Sequence, residues 1–420
     1  MPAIKPFTAV YYNPQKVANL SDVVCPPYDV ISPQQQDDLY EQSPYNFIRL
    51  ELTKENPKDE EKTKYGRAKK TYDEWLQKGI LIEDGRPAIY FYKQDYKYQG
   101  QKYTRMGFIA LMRIAEDAGT KILPHENTHA AAKTDRFMLW SALKSNLSSI
   151  FVCFADRMNR VEKIFIKDVA PTKPLMEAVD ADKVRHTIWR LDDPAGVSQI
   201  MDVLEGQDLF IADGHHRFEV ANQIRGEVLQ KRSSAAAREP YNYAMTYFTN
   251  LDSKDLQIFP IHRVIRKFPE NQGSLEQYFR IDKIRSISDL TVLLARAGQN
   301  EHAFGMVDKN GIRLLRLKNK MLIDTMVKEG SRDYRNLDSA ILKAFVLDPA
   351  GVAGEDIVYS KDQQEVLAMV EGGQAEAGFI LNSVPIGQLK AIALNGEKMP
   401  PKTTYFYPKV LSGLTVYKIE

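Results

Sequence analysis

Apolar and polar residues change places along this chain on two periods, and the changes divide it into strands and helices. Ile4 to Tyr12 reads as a first strand, followed by an extended loop, Val24–Ile31, that Pro26 and Pro27 keep out of both helix and central strand. Ser32-Pro33 opens a helix, with Ser32 as cap and Pro33 at its first position, that ends near Ser43-Pro44. Phe47–Leu52 alternates in part and predicts a strand, and a helix follows near Tyr65–Lys78. Ala88–Tyr96 and Lys102–Ile109 read as a hairpin turning near Gly100. Leu123–Arg136 is polar and irregular, ahead of a helix over Phe137–Ser145.

The second half repeats the mixture. Strands are predicted at Ser149–Phe154, Arg185–Leu191, Tyr243–Asn250 and Leu256–Val264, and Asp192-Asp193-Pro194 starts a helix that runs to about Leu204. Asp208–Ala212 is a short apolar run ending in Asp-Gly, after which Phe218, Val220, Ala221, Ile224 and Val228 recur at helical spacing. That is a strand–turn–helix unit. Residues 233–237 read as a loose linker and the stretch near 267–275 as a domain seam. The expected class is therefore α/β, mixed α+β. Two regions are expected, 1–268 and 269–420, with the final segment from about 395 packing back on the first.

Composition narrows the function. The 420 residues carry 57 basic and 55 acidic side chains, a net charge of +2. So even a balance argues against a broad nucleic-acid footprint but leaves room for a local anion site. Two cysteines, Cys25 and Cys153, do not make a disulfide framework. No apolar run approaches a membrane span, and a cytoplasmic protein with no membrane partner is expected.

The sharpest chemistry is Asp213-Gly214-His215-His216-Arg217. A helix entrance has backbone N–H groups without helical partners and a partial positive charge. Gly214 lets the chain turn tightly and an anion come close, and Arg217 can fork onto that anion. His215 and His216 add donors, and Asp213 can cap the helix. Asp-Gly alone is a common turn; two histidines and an arginine behind it point to phosphate.

Further candidates lie upstream. His125-Glu126-Asn127-Thr128-His129 matches H-E-x-x-H, but the flanks lack the apolar stripe of a zinc-protease helix, and no zinc is expected. A kinase-type site needs a carboxylate to take a hydroxyl proton, and Glu126, with His125, is the first candidate and Asp29 the second. Lys133 and Arg136 could reach phosphates, and Asp135 could hold Mg²⁺. Tyr28 and Asp29 stand on what should be a rigid loop lining a pocket. Asn46, Arg49 and Glu51 read as exposed positions beside a strand. Lys402 and Lys409 lie in a tyrosine-rich stretch where one lysine could reach a phosphate.

Ile211–Glu219 resembles the D-G-H-H-R signature of ParB-like free serine kinases and is similar to the nucleotide-phosphate turn of ParB and sulfiredoxin. The resemblance implies a ParB/sulfiredoxin-like core around 208–229. It implies ADP, ATP or CTP with Mg²⁺ as cofactors, and phosphoryl transfer to a small hydroxylated, serine-like metabolite. Almost the whole chain also resembles a bacterial and archaeal family of unknown function numbered 1015. That likeness rests on the Val24–Ile31 loop, Leu123-Pro124-His125-Glu126, Lys133–Arg136, the 213–217 turn, Pro260-Ile261-His262-Arg263 and Gly396–Lys409. Alternatives to the kinase are a nucleotide sensor without turnover and a phosphatase using the same anion site.

Overall fold

The computed structural model describes residues 3–56, 63–115, 120–128, 130–231, 239–268 and 275–420. The linker expected at 233–237, most of the seam near 267–275, and His129 lie outside them. The chain forms two units. The first comprises Met1–Pro124, Thr128–Leu256 and Pro408–Glu420; the second comprises His125–Asn127 and Gln257–Tyr407.

The first unit is built on a nine-stranded mixed sheet. Its strands run Ile122–Leu123, Leu209–Asp213, Ile150–Phe154, Tyr243–Asn250, Gln101–Arg113, Ile89–Tyr98, Arg185–Leu191 and Met176–Val179, with Ile4–Lys5 also paired to Gln101–Arg113. Ile89–Tyr98 and Gln101–Arg113 pair from Tyr90↔Ile109 to Tyr98↔Gln101, around a turn in which Gln99 and Gly100 both have positive φ. That backbone suits the right-handed twist of the two strands. Phe91, Phe108, Phe154 and Phe248 are buried in one cluster, with the rings of Phe108 and Phe248 stacked at 5.0 Å. Each ring so buried contributes about 1.5–3 kcal/mol.

The second unit has a six-stranded sheet in the order Phe279–Ile284, Gly311–Leu317, Ala303–Asp308, Ala377–Ile380, His262–Ile265 and Ile357–Ser360. Its core gathers Val264, Leu290, Leu294, Val307, Leu314 and Val366. A separate two-stranded ribbon pairs Gln257–Pro260 with Thr404–Tyr407.

The Ser32 helix spans Pro33–Gln42 and closes a full capping box: Gln35 N donates to Ser32 Oγ at 3.2 Å and Ser32 N to Gln35 Oε1 at 2.9 Å. Four expectations need correction. Ile4–Tyr12 is not one strand: Ile4–Lys5 joins the nine-stranded sheet and Val10–Tyr12 pairs with Leu81–Glu83 in a separate ribbon. Phe47–Leu52 is not a strand, because Ile48–Glu51 is a helical turn. Ile48 N donates to Asn46 Oδ1 and Phe47 N to the Val23 carbonyl, which set the start of that turn. The helix predicted from Phe137 starts earlier, at Ala130, and runs to Leu143, because Ala130-Ala131-Ala132 propagates helix well. Leu256–Val264 is not one strand: it breaks at Ile261 into Gln257–Pro260 and His262–Ile265, which join different sheets.

Candidate functional site

The strand Leu209–Asp213 is buried from Leu209 to Ala212, with Asp213 half-buried, and ends where its pairing register against Phe151–Cys153 shifts. Gly214 follows with φ +87°, a conformation that costs most residues energy and glycine little. The helix His215–Lys231 then begins, and its first turn closes with Phe218 N donating to the Gly214 carbonyl. The Arg217 guanidinium folds back over Gly214, so that a Cβ there would lie 3.0 Å from Arg217 Cζ and Nε.

Asp213 is the electrostatic hub of this turn. Its Oδ1 accepts Gly214 N at 2.9 Å, and its Oδ2 accepts Lys409 Nζ at 3.1 Å, with Arg217 Nη2 at 3.8 Å. Burial alone would raise the carboxyl pKa, but the Lys409 and Arg217 charges outweigh it and hold Asp213 well below the usual carboxylate range. Arg217 Nη1 also donates to the Ser149 carbonyl, and its buried Nε has no hydrogen-bond partner among the described residues. His215 is buried and His216 half-buried.

Beside the turn lies a small cavity of about 60 Å³ lined by Arg217, Val220, Arg136, Trp140, Ser148 and Glu51, among others. Glu51 is 0% exposed. Its Oε1 accepts Ser148 Oγ at 3.0 Å and lies 3.5 Å from Arg136 Nη1, while its Oε2 is buried with no hydrogen-bond partner among the described residues. Arg136 is itself buried; it donates to the Glu51 carbonyl at 2.9 Å and lies 4.0 Å over the ring of Tyr28. Burial lowers the Arg136 pKa, and Glu51 and Asp135 more than restore it. Burial and the Asp29 carboxylate push the Tyr28 phenol up, against Arg136 and Arg217. Tyr28, Glu51, Arg136 and Arg217 thus share one electrostatic neighbourhood.

The remaining candidates sit as follows. Lys133 pairs with Glu219 at 3.0 Å, tying its own helix to the 215–231 helix. Asp135 accepts Tyr65 Oη at 2.9 Å, Lys64 Nζ at 3.0 Å and Arg136 Nε at 2.9 Å. Burial would raise its pKa, but Arg136 and Lys64 keep it lowered. With two cations already on it, this carboxylate is a poor fit for Mg²⁺. No group of three or more metal-ligating side chains occurs among the described residues. Asp29 is exposed, on the short turn Tyr28–Val30.

His125 and Glu126 belong to the second unit. His125 is 0% exposed, with Nε2 3.3 Å from Thr404 Oγ1, and its carbonyl accepts Met399 N at 2.7 Å. Glu126 Oε1 accepts Lys402 N at 3.0 Å. Cys25 and Cys153 are buried; burial and Glu51 push the Cys25 thiol up, and burial pushes Cys153 up to about 12. Neither is a thiolate near neutral pH.

Glu51 was missed because an alternating reading of Phe47–Leu52 puts it outside. Read as a helical turn, the same letters place Glu51 beside Phe47 and Ile48 on an apolar face, where a carboxylate is anomalous.

A search of curated proteins finds no match. Among solved structures, a conserved hypothetical protein from Pyrococcus furiosus is 12% identical, with a TM-score of 0.35 over 71% of this chain and 92% of that one. A free serine kinase in complex with AMP is 11% identical, with a TM-score of 0.35 over 68% of this chain and 83% of its own. SbnI from Staphylococcus aureus is 11% identical, with a TM-score of 0.38 over 74% and 87%. The family model described as protein of unknown function (DUF1015) matches residues 4–340, and the chain belongs to that family.

Proposed function

We propose that this protein is a nucleotide-dependent phosphotransferase acting on a small hydroxylated metabolite. The observation that supports it most is the meeting of a phosphate-type turn with a cavity holding a buried carboxylate. Arg217 and Lys409 stand at the helix entrance, and Arg136 and Glu51 line the cavity alongside, Glu51 Oε2 having no hydrogen-bond partner among the described residues. Cations at a helix entrance hold phosphate oxygens and stabilise the charge that develops on them. The resemblance of the turn to the D-G-H-H-R signature makes a nucleotide the expected donor and a serine-like hydroxyl the expected acceptor.

Glu51 replaces Glu126 as the group assigned to the acceptor. It lines the same cavity as Arg217, whereas Glu126 is engaged with Lys402 N in the second unit. In the transfer, the acceptor oxygen attacks the terminal phosphorus and forms the new P–O bond. The bond from that phosphorus to the bridging oxygen of the nucleotide breaks, and the bond pair leaves with the nucleotide. The hydroxyl proton passes to Glu51. Arg217 and Lys409 hold the phosphate oxygens, and Arg136, 3.5 Å from Glu51 Oε1, orients that side chain. Mg²⁺ arriving with the nucleotide would neutralise part of the phosphate charge.

The test is ³¹P NMR of ADP, ATP and CTP, with Mg²⁺, against a panel of hydroxylated metabolites. A new phosphomonoester signal is expected with one acceptor. Glu51→Gln should slow its appearance by about a hundredfold or more, as removal of a general base does, with nucleotide affinity nearly unchanged. Inorganic phosphate alone would favour the phosphatase. Binding with no transfer to any acceptor would leave a sensor and overturn the kinase reading.

A further inference from the structure

Arg105 is 0% exposed and has no carboxylate in ion-pair reach among the described residues, which is a costly place for a permanent charge. Its compensation is instructive. Nε donates to Gln94 Oε1 at 2.9 Å, Nη2 donates to the Pro408 carbonyl, and the guanidinium lies over the rings of Phe151 and Tyr247 at 4.7 and 5.5 Å. Gln94, also 0% exposed, donates from Nε2 to the Lys409 carbonyl at 2.8 Å. Two buried side chains therefore grip two consecutive carbonyls, Pro408 and Lys409. The residue so fixed sends its ammonium to Asp213 Oδ2 at 3.1 Å, with a side chain only 12% exposed.

The grip lies under the turn. Phe151, which carries the Arg105 guanidinium on its ring, is the sheet partner of both Asp213 and Tyr247. Downstream, Tyr417–Lys418 pairs with Ser145–Asn146 and Ile419 N donates to the Lys144 carbonyl, so the rest of the segment is fastened beside the cavity wall.

We propose that Pro408–Glu420 is a strap that delivers Lys409 as the second phosphate-binding cation of the Asp213–Arg217 turn, and that Arg105 and Gln94 are the positioning residues that set where its ammonium stands. The inference deepens the phosphotransferase reading and rests on it. Asp213 is the ammonium's resting partner. A phosphate brings a greater negative charge to the same place and shares the ammonium with Asp213, while the backbone at Pro408 and Lys409 stays fixed.

Calorimetric titration of the full chain with ADP and with adenosine tests this. Lys409→Met should weaken ADP roughly tenfold to a hundredfold, the range of one hydrogen bond to a charged group. Adenosine should bind it as it binds wild type, and the salt dependence of ADP binding should become shallower, because one phosphate contact is lost. Lys409→Arg should restore part of the affinity. Gln94→Leu, which leaves every side chain of the turn in place, should weaken ADP in the same direction by a smaller factor, with adenosine unaffected. Wild-type protein that binds ADP no better than Lys409→Met overturns the strap and leaves the phosphotransferase reading standing. Equal weakening of ADP and adenosine also overturns it, because that is a loss of fold rather than of a phosphate contact. Wild-type protein that binds no ADP removes the reading and this inference together.

Discussion

At the scale of single residues, Gly214 and the Glu51–Arg136 pair do the most, by different physics. Gly214 accepts a left-handed backbone and leaves room for the Arg217 guanidinium. Gly214→Ala should cost about 1–2 kcal/mol from backbone strain and also push Arg217 off its seat. Urea unfolding should show the first effect and ADP titration the second. Glu51 and Arg136 are both buried, so removing one partner strands the other. Arg136→Met should destabilise the protein by about 3–5 kcal/mol, read as a lower urea midpoint; an unchanged midpoint would show that Glu51 is not buried as described. The turn was legible in the sequence because its logic is local: a buried run, Asp-Gly, then helical spacing. Glu51 was read as exposed and Lys409 was not told apart from Lys402, because their partners Arg136 and Asp213 stand 85 and 196 positions away. Nothing in a short window signals a pairing at that distance.

At the scale of elements, capping chemistry was readable and short apolar runs were not. Ser32 and Pro33 foretold the Pro33–Gln42 helix because side chain and backbone satisfy each other within four residues. Ile48–Glu51 is a single turn, too short for periodicity to separate from a strand. The strand His262–Ile265 supplies a pH test. Burial and the neighbouring Arg263 guanidinium push the His262 imidazole down to about 4, from about 6.5 in an unfolded chain. Between those values the unfolded chain binds a proton that the folded strand refuses, so stability falls as pH falls from about 6.5 toward 4. The full effect is about 3 kcal/mol. His262→Gln keeps a group able to accept Leu381 N, which His262 Nδ1 does at 3.3 Å. Its urea midpoint should vary less between pH 7 and pH 5 than that of the wild type. Parallel pH profiles for the two proteins would contradict the assignment.

At the scale of the whole molecule, a mixed α/β class followed from the alternation of the two periods, since each unit builds a sheet with helices against it. A final segment packing back on the first region was expected from about 395, whereas the grouping with residues from the first 256 begins at Pro408, a bound that no window could show. Nor could it show that His125-Glu126-Asn127 groups with the second unit while its neighbours on both sides group with the first. No helix among the described residues is long and apolar enough to cross a membrane. The net charge of +2 conceals a local field, with Arg217 and Lys409 meeting Asp213 at one turn and Arg136 and Arg217 lining one cavity with Glu51. The central claim is that this field captures phosphate, and calorimetric titration of ADP into wild-type protein and Arg217→Ala tests it most directly. Saturable binding to the wild type, weakened roughly tenfold or more in the variant, is the predicted result. Equal affinities, or no heat with the wild type at high protein concentration, would contradict it.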